Sequence, residues 1–333
     1  MRGSFPGIRG YNAGPVGLFR RLPTFSARGP QAALVYSAAV QLLPRGATFA
    51  TSFVVDETLG LGSTGAVLAA RDTARGGAQV ALKVLRPELA ADDDLRARFR
   101  REAMILQQLD DPAIVAVHTH GEAPLTSGGL PLPYLVMERL HGRTLRGVLG
   151  DGPQSLDDVL AWLVPVARAL ERTHAAGVLH GDLKPDNLFL TASGPRLVDF
   201  GSAKVHGFPR LTATGELAGT PRYMAPEVIA GARELDARAD VYALGVTVFE
   251  CLSGRAPFTA RHPGRLLTEI MSGDAPSLAQ LDPALTSIAA VVARAMARDP
   301  RARFESTETF ARALARSLTG TTSPAPDRGD QGP

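Results

Sequence analysis

The sequence predicts an α+β protein of two lobes: a small antiparallel sheet with one helix, then a larger, mainly helical lobe. Three observations predict it. FVVDETLGLGSTGAVLAARD reads as strand, glycine turn, strand, and AVLAARDTARGGAQVALKVLR as a second hairpin around a GG turn. SLDDVLAWLVPVARALERTHAAG (155–177) is a long amphipathic helix, and further helices read around 240–253, 264–273, 285–298 and 307–318. Between them, 178–201 alternates the short apolar runs VLH, NLFL and RLVDF with the turn-rich stretches GDLKPDN and TASGP, the mark of a polar loop and a tight hairpin.

Composition bounds the function. At 333 residues and 45% apolar, the chain has the size and make-up of a globular enzyme of two subdomains. Cys251, its one cysteine, allows no internal disulfide and no cysteine metal site, and it reads as a core residue in a reducing, cytoplasmic setting. A net charge of +3, with acids interspersed from residue 56 onward, gives no footprint for nucleic acid. Residues 1–47 hold no Asp or Glu and are expected to be a disordered basic extension. Their apolar stretch 31–43 is too short to span a bilayer and lacks secretory-signal order, so no membrane anchor is expected in this chain. Residues 319–333 read as a disordered tail. That leaves one domain at 48–318, with a first lobe at 48–138, a hinge at 138–141 and a second lobe at 142–318.

In the first lobe, Gly60, Gly62 and Gly65 form G-x-G-x-x-G, followed by Val67. Glycine lets the backbone bend tightly and bring N–H groups to phosphate oxygens. A dinucleotide-binding turn would need a helix next. A second hairpin follows instead, so a glycine-rich hairpin fits better. VALK (80–83) then reads as a strand carrying Lys83. LRARFRREAMILQQL (95–109) is a helix whose Leu95, Phe99, Ile105, Leu106 and Leu109 share a face; Glu102 lies in it among four arginines. DDPAIVAVHTHGEA and YLVMERL (134–140) read as strands, with His118 and His120 as ordinary polar positions.

In the second lobe, Ser155 caps the long helix with Asp158 three residues on, and Gly177 is placed for a left-handed C-cap. The helix delivers the chain into HGDLKPDN. Asp182, Lys184, Asn187 and Asp199 come to one end of a small sheet. Two carboxylates, an amide and an ammonium are what a magnesium–phosphate site needs, since Mg²⁺ takes hard oxygen ligands and leaves room for phosphate oxygens. Of 36 basic residues, only Lys83, Lys184 and Lys204 are lysines. A compact ammonium on a thin stem suits reaching into phosphates better than a guanidinium fork.

HGDLKPDN followed by DFG, together with the glycine loop, VALK and GTPRYMAPE (219–227), resembles the bacterial eukaryotic-like (Hanks-type) serine/threonine protein kinases over roughly residues 50–318. The resemblance implies the bilobal protein-kinase fold and transfer of the γ-phosphoryl group of ATP to Ser/Thr hydroxyls of protein substrates, with Mg²⁺ (or Mn²⁺ in its place). It implies that Asp182 orients the attacking hydroxyl, Lys184 neutralises the transferring group, and Asn187 and Asp199 hold the metal. Glu102 would hold Lys83 on the α- and β-phosphates. Leu59, Val67 and Ala81 would cover the adenine, Met137 would guard its back, Glu138 and Leu140 would offer backbone hydrogen bonds, and Phe189 would stand at the floor. Thr212, Thr214 and Thr220 fall on the activation and substrate-docking loop; Lys184 and Thr220 favour Ser/Thr over Tyr. Asp240 would anchor the catalytic loop and Arg303 would pair with Glu227. One position departs: Gly181 stands where the family carries the Arg that meets a loop phosphate. Two other classes stay open, a small-molecule phosphotransferase of the aminoglycoside or choline kinase type, which shares H-G-D, and an ATP-binding pseudokinase.

Overall fold

The computed structural model describes residues 43–62, 65–125, 128–200, 221–232, 234–273 and 275–318. The first lobe holds a six-stranded antiparallel sheet in the order β1-β2-β3-β4-β6-β5. The strands are β1 (Thr48–Phe49), β2 (Phe53–Leu61), β3 (Gly65–Asp72), β4 (Ala78–Leu85), β5 (Val117–Pro124) and β6 (Pro131–Glu138). A short helix α1 (Pro87–Ala90) and the long helix α2 (Asp93–Gln108) lie between β4 and β5. Asp92 caps α2 by accepting from the N–H groups of Asp94 and Leu95. Leu95, Phe99 and Leu106 are buried as the spacing predicts, and Ala103 joins them.

The register of β4 sets what faces the interlobe cleft. Lys83 lies opposite Val67 on β3 and Leu135 on β6, and Ala81 lies opposite Met137. Alternate residues share a face, so Val67, Ala81, Lys83 and Met137 line one side of the sheet. A bulge between Thr58 and Gly60 sets Leu59 out of the regular β2–β3 pairing. Gly62 N–H donates to Gly65 O at 2.8 Å and closes the glycine turn. Gly65 has no room for a side chain: a Cβ there would come within 2.0 Å of the Val84 carbonyl oxygen.

The second lobe begins with β7 (Gly142–Thr144) and α3 (Leu145–Leu149), then α4 (Leu156–Ala175). Ser155 accepts from the Asp158 N–H at 3.1 Å, and its hydroxyl donates to the Asp158 carboxylate at 2.6 Å, so the acidic cap closes through the side chain. Gly177 takes φ +77. The strands β8 (Leu188–Thr191) and β9 (Gly194–Leu197) follow and complete a three-stranded sheet, β7-β8-β9. After residue 220 come α5 (Pro226–Ile229), α6 (Arg238–Ser253), α7 (Pro263–Ser272), α8 (Leu278–Leu281), α9 (Thr286–Ala295) and α10 (Thr307–Leu318). α6 is the core of this lobe. It is apolar nearly all round and buried from Ala239 to Leu252. Cys251 is fully buried there, and burial pushes its thiol pKa up, which keeps it protonated.

β9 ties the lobes together. Val115 N–H donates to Leu197 O at 2.9 Å and Leu197 N–H to Ala113 O at 2.7 Å, a parallel bridge between the segment leading into β5 and the strand leading into Asp199. Arg172 on α4 adds an ion pair to Asp111 at 2.6 Å. Among the described residues, no helix is long and apolar enough to cross a membrane.

Candidate active site

The loop before β8 and the turn after β9 carry the acids. Lys184 Nζ donates to the Asp182 carboxylate at 2.8 Å. Asn187 Nδ2 donates to the Asp182 carbonyl oxygen at 2.8 Å and to its carboxylate at 3.2 Å. With its amide nitrogen committed to Asp182, Asn187 has Oδ1 left as its acceptor. Asp199 lies past the end of β9 with φ +63, a left-handed conformation that costs a non-glycine residue roughly 1 kcal/mol. That turn brings its carboxylate to Lys83, and the two form an ion pair across the lobes.

Lys83 is buried, so its charge needs this partner. Burial pushes the Asp199 carboxyl pKa up, but the Lys83 ammonium, by charge and hydrogen bond, outweighs burial and holds it below the usual carboxylate value. The expected lysine partner was Glu102. Glu102 lines the same small cavity, of about 20 Å³, together with Lys83, Met137, Asp199 and Phe200, but the left-handed turn at Asp199 gives the ammonium to that carboxylate instead.

The catalytic-loop backbone hangs from α6. The Asp240 carboxylate accepts from His180 N–H at 2.9 Å, from Gly181 N–H at 3.0 Å and from His174 Nε2 at 2.7 Å. His180 is fully buried, and its ring donates from Nε2 to Val198 O at 3.1 Å while Nδ1 accepts from Asp182 N–H at 3.3 Å. Both ring nitrogens are used in the neutral tautomer, and burial lowers its pKa, so His180 links Asp182 to the segment entering Asp199 without carrying charge. Arg303, fully buried at its side chain, makes a two-pronged ion pair with Glu227, both arms at 2.7 Å.

A match to the protein kinase domain model covers residues 53–313. The chain belongs to the protein kinase family. A probable serine/threonine-protein kinase of Corynebacterium efficiens is 37% identical over 265 residues, covering 77% of this chain and 40% of that protein. The serine/threonine-protein kinase PknB of Mycobacterium tuberculosis is 36% identical over 279 residues, covering 82% of this chain and 44% of that protein. The crystal structure of the M. tuberculosis PknI kinase domain is matched with a TM-score of 0.67 at 33% identity, covering 83% of this chain and 99% of that one. The chain thus spans less than half the length of the curated relatives it matches.

Of the residues expected around adenine, Val67, Ala81 and Met137 share one face of the first-lobe sheet. Ala81 and Met137 are buried side by side on β4 and β6, while Leu59, Val67 and Leu140 are partly buried against the core. Glu138 spends its N–H on Ala116 O at 2.9 Å, and its carboxylate accepts from Ala116 N–H and Arg196. Phe189 sits on β8 opposite Thr144 and Arg196. Thr212, Thr214 and Thr220 lie outside the described residues.

Sequence reasoning missed one cluster. Arg146 on α3 donates to Glu250 on α6 at 2.7 Å, to Asp186 of the catalytic loop at 3.4 Å and to the Tyr223 hydroxyl, while that hydroxyl donates to Glu250 at 2.5 Å. These residues come from four separate segments, and no local spacing signals them. Glu250 is buried, so removing Arg146 strips a charge partner and leaves only the Tyr223 donor. Arg146→Ala is expected to lower stability by roughly 2 kcal/mol. It should also loosen Tyr223 against the catalytic loop, so the KM for a protein substrate rises while the KM for ATP holds. Urea melts and initial rates at varied substrate check both halves.

Proposed function

We propose that this domain is an ATP-dependent serine/threonine protein kinase that phosphorylates protein substrates in bacterial signalling and also itself. The observation that carries this is the convergence of Asp182, Lys184 and Asn187 in one hydrogen-bonded cluster, with Lys83 of the other lobe brought to it through Asp199. Asp182, braced by Lys184 and Asn187, accepts or orients the proton of the attacking hydroxyl. Lys184 offsets charge on the transferring group. Asn187 Oδ1 and the Asp199 carboxylate are both hard oxygen donors and fit Mg²⁺, which when bound would neutralise phosphate oxygens. Lys83 orients the phosphates, and Glu102 is a second acid beside it. With the Glu138 N–H already used, adenine contacts fall to the Glu138 carbonyl and the Leu140 backbone, beneath Leu59, Val67 and Ala81 and in front of Met137. Phe189 forms the floor.

The two-pronged Arg303–Glu227 pair and Tyr223 brace the chain just after residue 220, which suits a platform for an extended peptide rather than a pocket for a small alcohol. The test is a radiolabelled-ATP assay of the full chain against a generic protein substrate and a panel of small alcohols. Transfer to protein is expected. Transfer to a small alcohol alone would identify a small-molecule phosphotransferase, and transfer to neither, with nucleotide still bound, a pseudokinase.

Gly181 bears on control. It has φ +68, and a Cβ built there meets nothing within 4 Å, so this backbone suits glycine and a side chain would project into open space. Glycine cannot receive a phosphate by a side chain. The double variant Thr212→Ala, Thr214→Ala is therefore expected to keep basal activity within tenfold of the parent. A larger loss in steady-state rate would show that loop phosphorylation acts through some other cation.

A further inference from the structure

Away from the catalytic loop, a cavity of about 730 Å³ opens among the last elements of the helical lobe. Arg238, Arg294, Arg301, Arg303, Arg312 and Arg316 line it, and Glu305 is the one acid in the lining. Composition does not explain that ratio. Across the chain, 36 basic residues are nearly matched by 33 acidic ones, whereas here five arginines besides the buried, fully bonded Arg303 stand against one acid. Acids outside the lining offset only part of the surplus. Arg303 pairs with Glu227 at 2.7 Å, Arg238 with Asp236 at 3.2 Å and Arg312 with Glu308 at 4.0 Å. Arg294 lies over the Phe304 ring at 4.3 Å and donates to the Ala302 carbonyl at 3.4 Å. Neither Arg294 nor Arg301 has an acidic partner among the described residues. The Nε of Arg238 is buried with no hydrogen-bond partner among the described residues.

Gathered guanidinium groups repel one another, and a concave surface lined by one sign of charge focuses their field. The arrangement becomes favourable when an anion sits among them. Guanidinium forks match phosphate oxygens two at a time. The volume then sets the size of the anion. It lies within the range of small-molecule sites and far exceeds what one phosphate fills. We propose that this cavity binds a small, multiply phosphorylated anion at a site separate from the nucleotide cleft. The site touches the catalytic apparatus through two of its arginines. Arg303 holds Glu227 and also donates to the Arg238 carbonyl at 2.9 Å, and Arg238 opens α6, the helix that bears Asp240.

Inorganic tripolyphosphate is the probe. It is titrated calorimetrically into the full chain without divalent metal, at low and at raised salt. A site that persists in Lys83→Ala is expected, with an affinity that falls as salt rises. Lys83→Ala, which alters the nucleotide cleft, should leave that affinity within threefold. Arg301→Gln with Arg312→Gln, both on exposed side chains, should weaken it at least tenfold with an unchanged melting temperature. If that pair disturbs the fold, Arg294→Gln alone should weaken binding at least threefold. No binding at millimolar probe, binding indifferent to the arginine variants, or binding lost in Lys83→Ala would each overturn the site. Inorganic phosphate binding as tightly as tripolyphosphate would overturn the multivalent ligand, and an acidic peptide binding more tightly would overturn the small anion in favour of a protein segment.

Discussion

Asp182→Asn is expected to reduce kcat for phosphoryl transfer by about 10³-fold while nucleotide affinity stays within a few-fold. The carboxylate does not act alone. Lys184 Nζ and Asn187 Nδ2 both donate to it, which fixes its direction in a loop whose backbone is held by Asp240 and His180. Asparagine has nearly the same shape but cannot take a proton, and its amide would face two donors already pointing at that position. Both the proton-accepting role and the packing of Lys184 are then lost together. Nucleotide binding depends on other groups, Lys83 and Asp199 and the cleft face of β4, so it should survive. Steady-state rates with a protein substrate, nucleotide titration by intrinsic fluorescence and a melting curve separate the terms. A variant that still turns over within tenfold of the parent would place the catalytic carboxylate elsewhere.

That distinction also marks what was legible in the sequence. Asp182, Lys184, Asn187 and Asp199 lie within eighteen residues on a loop and a hairpin, and strand and turn rules acting on that short stretch are enough to bring them to one end. The Val67–Lys83 pairing follows in the same way from the β3–β4 hairpin, whereas the Lys83–Leu135 and Ala81–Met137 pairings join β4 to β6 across two helices and β5 and have no local signal. Partner choice across the fold was harder. Glu102 had the spacing to hold Lys83, but the left-handed backbone at Asp199 put another carboxylate on the ammonium, and aspartate's mild preference for positive φ does not single out this position. The Arg146–Tyr223–Glu250 cluster joins residues 77 and 104 positions apart, so its signal exists only once α6 is packed. β1 was missed because two residues carry no period.

The second large effect is expected at Asp240. Asp240→Ala would leave the N–H groups of His180 and Gly181 without their acceptor, and His174 without its carboxylate, around a side chain that is itself in the interior. Three donors that lose a charged acceptor cost roughly 3–5 kcal/mol together, which for a domain of this size lowers the melting temperature by roughly 10 °C. Activity should fall further than stability alone explains, because the same two N–H groups fix the turn that aims Asp182. The pH dependence separates this carboxylate from its neighbours. Burial pushes the Asp240 pKa up, but the hydrogen bonds it accepts from His174 and the Gly181 N–H, with the two imidazoles beside it, outweigh burial, so the folded value lies below the ordinary one. Its contribution is then fully present above about pH 3.9 and is lost as pH falls through the depressed folded value. His180 works in a different window. Burial holds its folded pKa below 6.5, so as pH falls below about 6.5 the unfolded chain takes up a proton that the folded chain refuses, and stability declines. Urea midpoints of the parent should therefore drop in two stages on acidification. Asp240→Ala should shrink the lower stage, to which Asp199 also contributes, and, with its stabilising charge gone from beside His180, retain or deepen the upper one. An Asp240→Ala protein that melts within 2 °C of the parent and keeps its rate would show that the catalytic loop holds its shape without α6.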